Sequence, residues 1–300
     1  MSIPWLLDRP PYLPFLEPRT ARPPGLMPLG AAPLVAADPD FAAQMAERAR
    51  LLRAVPDTVL ACLPDGHALA AELLDHVIAA TRHPFAWQDG TWLRPDGEAV
   101  PVDRGRPLES LGRMTAEDWC LLCPGPAEYR LVAAVLCFPS RWSLAEKLGR
   151  ALTSIHAPVP DYAGDLARRV NRMFEALRPE RPVWRVNWLV HAQSALHLPL
   201  REEEKVARER IGPETPLYLR TERQTLSRLP RTGAVAFGIK TSLSPLEALS
   251  APEAAALARE LGALEAPTIA YRSGGDLQAE AFRRLANMAG QATALGPSCD

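Results

Sequence analysis

Hydrophobic and polar residues alternate most clearly in the second half of the chain. Residues 183–190 place three apolar side chains on one face of an extended segment and two polar ones, Arg185 and Asn187, on the other. Two further apolar-rich segments, 216–229 and 234–241, are separated by a short turn that contains proline and glycine. The pattern predicts three strands, the last two of which form an antiparallel pair.

Other strand signals come earlier in the chain. A nearly continuous apolar run of strand length covers residues 129–137. Short stretches that mix polar and aromatic residues between 85 and 104 predict further strands around a turn at Pro95, Asp96 and Gly97.

Helical periodicity, in which apolar residues recur every three or four positions, marks the remaining elements. In the helix predicted over 38–54, Asp38 is the expected N-cap and Pro39 lies in the first turn. The other predicted helices cover 66–82, 144–153, 160–177 (with Tyr162 in its apolar stripe), 252–263 and 277–289.

These elements follow one another as helices, strands, helices, strands and helices again, with no internal repeat. Because there is no regular βαβ alternation, the order indicates an α+β fold built on an antiparallel sheet with flanking helices. The chain has 31 prolines in 300 residues, about twice the usual share, and many cluster over 10–33. We therefore expect an extended Pro-rich N-terminal arm over 1–37 and a single α+β domain over 38–300.

The composition narrows the choice of partners. Apolar residues make up 47% of the chain, and 34 basic residues balance 35 acidic ones, which gives no support for a nucleic-acid or membrane partner. The N-terminus lacks a basic start and its apolar run is broken by Pro4 and Asp8, so we predict no signal peptide and a cytoplasmic location. Five cysteines, Cys299 among them, are an odd number and predict no disulfides.

Motifs for common nucleotide, zinc-protease and hydrolase sites are missing from the sequence. Cys120 and Cys123 have C-x-x-C spacing, but they lie among apolar residues and no second pair accompanies them. We interpret this pair as part of the core.

His156 has the most distinctive surroundings of the six histidines. Pro158 and Pro160 end any helix just beyond it, because proline lacks a backbone donor and disfavours helical geometry in the preceding residue. Ile155 and Val159 are apolar neighbours. Neutral imidazole is a common iron ligand in haem proteins, where it needs a fixed ring in a dry pocket. The residues alone leave open an iron ligand or a satisfied structural histidine.

A polar run interrupts the strand predicted over 216–229. Alternation places Glu222 and Gln224 on one face and Arg223 on the other. A carboxylate in an apolar pocket can pair with an amine cation, and a guanidinium can bind a carboxylate or a haem propionate. The alternative is a solvated edge strand with cross-strand ion pairs.

Three motifs together resemble the haem-dependent oxidative N-demethylases, a bacterial family that includes the haem subunit of dimethylamine monooxygenase. They are F-P-S-R-W-S-L-A-E-K-L-G-R-A-L-T-S-I-H-A-P-V-P-D-Y at 138–162, R-P-V-W-R-V-N-W at 181–188 and L-R-T-E-R-Q-T-L-S-R-L-P-R-T-G-A-V-A-F-G-I-K-T at 219–241. The early P-Y-L-P-F and R-A-R-L-L segments are also similar to the family. The resemblance covers about residues 10 to 245.

The resemblance implies a PAS-like antiparallel sheet that holds haem b through a histidine. It also implies a monooxygenase reaction in which O2 oxidises a methyl group on a small secondary amine, such as dimethylamine, to give formaldehyde and the demethylated amine. Electrons are expected to come from NADPH through a separate flavin and iron–sulfur reductase subunit. The alternatives are a non-catalytic haem-binding gas sensor or carrier with a PAS-like fold, and a protein of this fold that has lost haem and serves as a binding module.

Carried over to this sequence, the resemblance implies that His156 is the axial iron ligand, with His191 as the alternative. Glu222 is the candidate for holding the substrate ammonium. Candidates for contacts with the haem propionates or the pocket are Arg141, Lys147 and Arg223.

Overall fold

A computed structural model of the chain describes residues 3–21, 24–126, 128–157, 167–201, 211–272 and 274–294. Its strands are β1 (Met27–Pro28), β2 (Leu60–Cys62), β3 (Ala86–Gln88), β4 (Thr91–Leu93), β5 (Ala99–Pro101), β6 (Asp118–Pro124), β7 (Tyr129–Val135), β8 (Val183–His191), β9 (Tyr218–Arg228) and β10 (Val235–Pro245).

The helices lie before, between and after these strands. They are α1 (Pro18–Ala21), α2 (Phe41–Ala54), α3 (Pro56–Val59), α4 (Gly66–Ala79), α5 (Pro107–Met114), α6 (Leu144–Lys147), α7 (Leu152–Ile155), α8 (Ala167–Ala176), α9 (Ala251–Gly262), α10 (Ala266–Arg272) and α11 (Gly275–Ala294). No helix in the described ranges combines the length and apolar character that a membrane crossing requires.

Within the described residues, seven strands form one antiparallel sheet in the order β1-β8-β9-β10-β6-β7-β2, and β3, β4 and β5 form a small second sheet. β9 and β10 pair along their full lengths, from Tyr218 opposite Pro245 to Arg228 opposite Val235. β8 adds to the other edge of β9 over all nine of its residues. The expected α+β fold built on an antiparallel sheet is confirmed.

The two faces of the large sheet pack against different parts of the chain. Because side chains alternate along a strand, Trp119 of β6 points to one face and Cys120 to the other. Trp119 joins a core cluster with residues of α2, α4 and α5. Cys120 joins a cluster that contains Leu152 of α7 and Phe174 of α8. A third cluster packs α9 and α11 against β8 and β9, through residues that include Val190.

The strand predictions over 129–137, 183–190, 216–229 and 234–241 are confirmed as β7, β8, β9 and β10. The predicted short strands around residue 95 are β3, β4 and β5. The sequence patterns did not predict β6, which contains Cys120 and Cys123. Both of these thiols are free, and burial raises the pKa of the Cys120 thiol. Cys299 lies outside the described residues.

Two helix predictions are wrong in detail. α2 begins at Phe41 with Asp40, not Asp38, as its N-cap. Both carboxylates pair with Lys240, Asp40 at 3.0 Å and Asp38 at 3.4 Å, so neither caps the helix through its side chain. The single helix predicted over 144–153 is divided into α6 and α7. Gly149 separates them at a φ of +77°, a conformation that glycine adopts without strain and that ends a helix.

The described part of the helix predicted over 160–177 is α8, which runs from Ala167 to Ala176. Tyr162, Pro158 and Pro160 lie outside the described residues. The predicted C-terminal helices are confirmed as α9 and α11.

The Pro-rich N-terminal segment contacts the large sheet at several points. The Leu7 N–H donates to the Leu243 carbonyl at 2.9 Å, and Phe15 packs edge-on against Trp188, with ring centroids 6.1 Å apart. Phe15 is buried. These contacts hold the segment against the β8–β10 part of the sheet.

Candidate functional site

His156 caps the C-terminal end of α7, on the face of the sheet that packs against α7 and α8. Its Nδ1 lies 2.9 Å from the Leu152 carbonyl oxygen. A carbonyl can only accept a hydrogen bond, so Nδ1 carries the proton and Nε2 carries the lone pair. Burial lowers the pKa of the imidazole, and the charges of Lys147 and Arg185 act in the same direction. The chain therefore holds a neutral imidazole in one orientation and one tautomer.

Lys147 stabilises the turn that carries His156. Its side chain is buried, and its Nζ donates to the Ile155 carbonyl at 3.0 Å. This bond ties the end of α6 to the end of α7, although Gly149 breaks the helix between them. Lys147 therefore lies beside the turn that carries His156, and one of its donors is committed to the backbone.

A row of polar side chains lies on one face of β8 and β9. Asn187 is the cross-strand partner of Glu222 and donates to its Oε2 at 3.3 Å. Gln224 donates to the same oxygen at 3.1 Å, and Arg220 Nε donates to Oε1 at 3.0 Å. Glu222 is only 8% exposed, so this polar environment is what makes a buried carboxylate tolerable.

Arg185 connects this polar row to His156. It is the cross-strand partner of Gln224 and so shares a face with Glu222. Burial lowers the pKa of Arg185, and the charge of Glu222 partly offsets that effect. Because the charge of Arg185 also lowers the pKa of His156, the imidazole, the guanidinium and the carboxylate lie within electrostatic reach of one another.

Arg272, at the end of α10, lies against Trp188, whose side chain is on the opposite face of β8 from Arg185. Its guanidinium lies over the ring of Trp188, 5.0 Å from the ring centroid. Burial lowers its pKa, and the charge of Arg185 lowers it further. Among the described residues, Arg185 Nε and Arg272 Nη1 are buried donors with no hydrogen-bond partner.

His191, the alternative ligand, lies at the end of β8 in a different setting. It is 7% exposed, and its Nε2 lies 3.3 Å from Ser140 Oγ. Burial, followed by the charges of Arg220 and Arg141, lowers its pKa to about 3. His191 is therefore also neutral, but a hydroxyl already occupies its Nε2. Arg141, close to it, adopts a positive φ of 60°.

Arg223 lies on the opposite face of the sheet from Glu222, as the alternation of β9 requires. It donates to the carbonyl oxygens of Leu34 at 3.3 Å and Pro33 at 2.5 Å. Its guanidinium also lies over the ring of Trp184. The structure therefore brings Glu222, Lys147 and His156 to one side of the sheet, and it places Arg223 on the other side, against the N-terminal segment.

Arg185 and Asn187 belong to this region but were missed as site residues by the sequence reasoning. They had a signal, since they form the polar face of the strand predicted over 183–190.

The described residues contain no group of three or more His, Cys, Asp or Glu side chains placed to hold a bare metal ion. Haem needs fewer protein ligands than a bare metal ion, because the porphyrin supplies most of the iron ligands and one side chain is enough to attach the iron to the protein. A neutral imidazole held by a backbone carbonyl, within electrostatic reach of the half-buried Arg185, fits such a cofactor.

Comparison with known families agrees with this fit. A family model described as "Haem-dependent oxidative N-demethylase, alpha subunit-like" matches residues 25–281. The matched range contains the whole of the large sheet, His156, the polar row on β8 and β9, and Arg272.

Proposed function

The chain belongs to the family of haem-dependent oxidative N-demethylases, alpha subunit-like, and we propose that it is a haem b-dependent monooxygenase that demethylates a small secondary amine such as dimethylamine. The observation that carries this proposal is the His156 imidazole, whose tautomer and orientation are set by the Leu152 carbonyl. Haem is expected to supply the iron at which O2 is activated. We also propose that the sheet is PAS-like, that residues 1–37 form an extended Pro-rich arm, and that residues 38–300 form a single domain. We propose a cytoplasmic location for the protein.

His156 is proposed to hold the iron through Nε2. The hydrogen bond from Nδ1 to a carbonyl raises the basicity of the imidazole and stops the ring from rotating. Lys147 keeps the end of α7 in place through its bond to the Ile155 carbonyl. His191 is the alternative ligand, although its Nε2 would first have to leave Ser140.

Glu222 is proposed to hold the ammonium group of the substrate. Arg220 engages Oε1, whereas the donors to Oε2 among the described residues are the neutral amides of Asn187 and Gln224. A charged ammonium is a stronger donor than either amide, so it can take their place at Oε2. The methyl group of a small amine would then be held away from solvent beside the cofactor.

The overall reaction inserts one atom of O2 into a C–H bond of the N-methyl group. The other atom leaves as water, which requires an electron pair and two protons. The hydroxymethyl amine then loses formaldehyde, and the proton of its hydroxyl passes to the nitrogen. The family description as an alpha subunit implies further subunits, and we propose that one of them is a flavin and iron–sulfur reductase that delivers the electrons from NADPH.

A second candidate is a haem-binding sensor or carrier that binds a gas without turnover. It is favoured by the ion pair between Glu222 and Arg220, because this pair balances the charge of the carboxylate before any amine arrives. The two candidates share the cofactor and differ in whether a methylated amine reacts.

The test is a reconstitution with haem b, followed by reduction and exposure to O2 with dimethylamine. We expect a Soret band at about 400 nm and the release of formaldehyde. A protein that binds no haem would overturn the proposal. A stable oxygen complex without formaldehyde, from any methylated amine tested, would favour the sensor or carrier.

A further inference from the structure

We propose that Arg220 of β9 is a positioning residue for the substrate: it fixes the Glu222 carboxylate so that one oxygen, Oε2, stays available to the ammonium group of the amine. This inference rests on the proposed role of Glu222 and adds a second residue to that site. The family description gives no role to Arg220.

Arg220 is a buried arginine whose hydrogen-bond donors are almost all used. Its side chain is 1% exposed. Nε donates to Glu222 Oε1 at 3.0 Å, and Nη1 donates to the Leu196 carbonyl at 3.3 Å. Nη2 donates to the Phe138 carbonyl at 2.6 Å and to Thr241 Oγ1 at 3.1 Å. A buried guanidinium is costly unless its charge is paired and its hydrogens have acceptors, and Arg220 meets both conditions.

The acceptors fix the position of the guanidinium. Phe138 follows β7, Leu196 follows β8 and Thr241 belongs to β10, so three segments outside β9 hold the group. A guanidinium is planar and its donors form a rigid fork. It therefore cannot turn without breaking several of these bonds, and its Nε–H points at Glu222 in one direction.

The two carboxylate oxygens of Glu222 have different partners. Arg220 and Glu222 are two residues apart on β9 and lie on the same face of the sheet, which brings Nε to Oε1. Oε2 accepts from Asn187 at 3.3 Å and from Gln224 at 3.1 Å. A hydrogen bond between two charged groups is stronger than one from a neutral amide. The carboxylate is therefore anchored through Oε1, and Oε2 is the oxygen at which an ammonium can replace a neutral donor.

Arg220 also keeps Glu222 ionised. Burial favours the protonated form of a carboxyl group, whereas a cation within hydrogen-bonding distance favours the carboxylate. Glu222 is buried, and the ion pair with Arg220 at 3.0 Å supplies that cation. A carboxylate attracts an ammonium much more strongly than a neutral carboxyl group does, so the pair prepares the site for a cationic ligand.

Two other cations near this face do not hold the carboxylate. Arg185 of β8 acts on Glu222 through its charge, and the described residues show no hydrogen bond between these two side chains. Lys147 of α6 donates to the Ile155 carbonyl. On β10, the residue opposite Glu222 is the uncharged Thr241. Among the described residues, the direct charged contact of Glu222 is the one with Arg220.

The two histidines near this face are neutral at about pH 7. His191 ends β8, and burial, with the charges of Arg220 and Arg141, lowers its pKa to about 3. Burial also lowers the pKa of His156. A change in ligand affinity between about pH 6 and pH 9 is therefore expected to report the ionisation of Glu222.

The experiment measures the binding of dimethylammonium chloride to the full-length, haem-loaded protein by isothermal titration calorimetry between about pH 6 and pH 9. An alkylammonium group titrates at about pH 10, as the lysine side chain does, so the ligand stays charged. Arg220→Gln removes the charge, whereas Arg220→Lys keeps the charge and loses the fork. Thermal unfolding of each variant shows whether the titrated protein is folded.

Arg228→Gln is the matched control. Arg228 lies on the same strand and the same face as Arg220. Its guanidinium donates to the carbonyls of Leu177, Gly233 and Phe174 and forms no ion pair with Glu222, whose charged contact is Arg220. The control therefore removes an arginine that supports the sheet without changing the environment of the carboxylate.

In Arg220→Gln, we expect the dissociation constant of dimethylammonium to rise by about tenfold or more at about pH 6 and to recover at about pH 9. The reason is that the carboxyl group takes up a proton at the lower pH once its cation is lost, and each pH unit by which its ionisation moves changes the equilibrium tenfold. Arg220→Lys should bind more weakly at every pH without a new pH dependence, because the charge remains and the fixed orientation is lost. Arg228→Gln should unfold at a lower temperature and bind the ligand as the unmodified protein does.

Two results would overturn this inference alone. One is an affinity in Arg220→Gln that matches the unmodified protein at every pH, or, if that variant does not fold, an unchanged affinity in Arg220→Lys. The other is an equal, pH-independent loss in Arg220→Gln and Arg228→Gln, which would mean that Arg220 only supports the sheet. If the unmodified protein does not bind dimethylammonium, or if Glu222→Gln binds it equally well, the proposed role of Glu222 fails, and this inference fails with it.

Discussion

The Nδ1 atom of His156 lies 2.9 Å from the carbonyl oxygen of Leu152, four residues earlier in the chain. This contact defines the tautomer of the imidazole. A carbonyl oxygen can only accept a hydrogen bond, so Nδ1 must carry the proton. Burial keeps the ring neutral. The same relationship, an Nδ1–H donated to a carbonyl, is common among metal-bound histidines.

Replacement of His156 by alanine is expected to abolish the Soret band of the reconstituted protein, because the imidazole is lost from the iron. His191→Ala is the matched control and should retain the band, with a lower unfolding temperature since a buried side chain is removed. Absorption spectra of both variants after reconstitution with haem show whether His156 or His191 is the iron ligand. If the band survives in His156→Ala and disappears in His191→Ala, then His191 is the ligand.

Replacement of Glu222 by glutamine is expected to lower kcat/KM for dimethylamine by about tenfold or more, because a charged hydrogen bond to the ammonium is lost. Haem affinity should stay the same. Removal of the partner of Arg220 should also lower the free energy of unfolding by about 1–3 kcal/mol. Formaldehyde release at varied amine concentration measures the first effect.

Gln224→Leu serves as the control for Glu222, since it removes a neutral donor to the same carboxylate. It should leave kcat/KM unchanged or raise it, because Oε2 becomes more available to the amine. Similar losses in both variants would show that the site is sensitive to packing and that Glu222 has no special role in binding the amine.

Arg223→Ala is expected to loosen the N-terminal segment while leaving haem binding intact. Its bonds to Pro33 and Leu34 hold that segment on the face opposite Glu222. We expect the free energy of unfolding to fall by about 2 kcal/mol and proteases to cleave near Pro33 more rapidly. Exposed Arg53→Ala is the control. A large loss of haem affinity in Arg223→Ala would instead support a role for Arg223 at the propionates.

Glu117 is expected to make the protein less stable as pH rises. Its Oε1 accepts the Ala36 N–H at 2.7 Å, and burial raises its pKa above the ordinary value of 4.5. The folded state therefore retains a proton that the unfolded chain releases. This contribution to stability is fully present below about pH 4.5 and is lost as pH rises through the higher folded-state pKa, with a slope of at most about 1.4 kcal/mol per pH unit.

Glu117→Gln removes this titration and keeps an acceptor for Ala36. The variant should match the unmodified protein at about pH 4 and exceed its stability at about pH 8. Denaturant unfolding across this range provides the measurement. Exposed Glu265→Gln should show no such trend, and a pH-independent difference for Glu117→Gln would contradict the prediction.

Gly238→Ala is expected to destabilise the centre of the sheet. A Cβ at this position would lie 2.6 Å from Trp119 and 2.7 Å from Thr225 Oγ1, and such overpacking costs about 1–3 kcal/mol. Gly290→Ala in α11 meets nothing within 4 Å and should stabilise the helix by about 0.5–1 kcal/mol. Chemical denaturation of both variants tests the contrast.

The strands could be predicted where apolar and polar residues alternate along the chain, because this alternation itself places one face of the strand in the core. Successive side chains of β8 and β9 point to opposite faces of the sheet. The sequence therefore already indicated that Glu222 and Arg223 lie on opposite faces. β6 was missed because its side chains are buried on both faces, and a strand of this kind shows no alternation. α6 and α7 were predicted as one helix, since periodicity does not reveal that Gly149 adopts a positive φ.

The sequence by itself determined the strand pattern and the family, and it made His156 the first candidate for the iron ligand, because these depend on local spacing and on motifs that are continuous in the chain. Only the tertiary structure decided which charged groups surround that histidine. His156 ends α7 and Arg185 lies on β8, and the charge of Arg185 acts on the imidazole because α7 packs on that face of the sheet. The burial of charged side chains and the interactions between their charges depend on how distant parts of the chain pack together, so a local sequence pattern does not predict them.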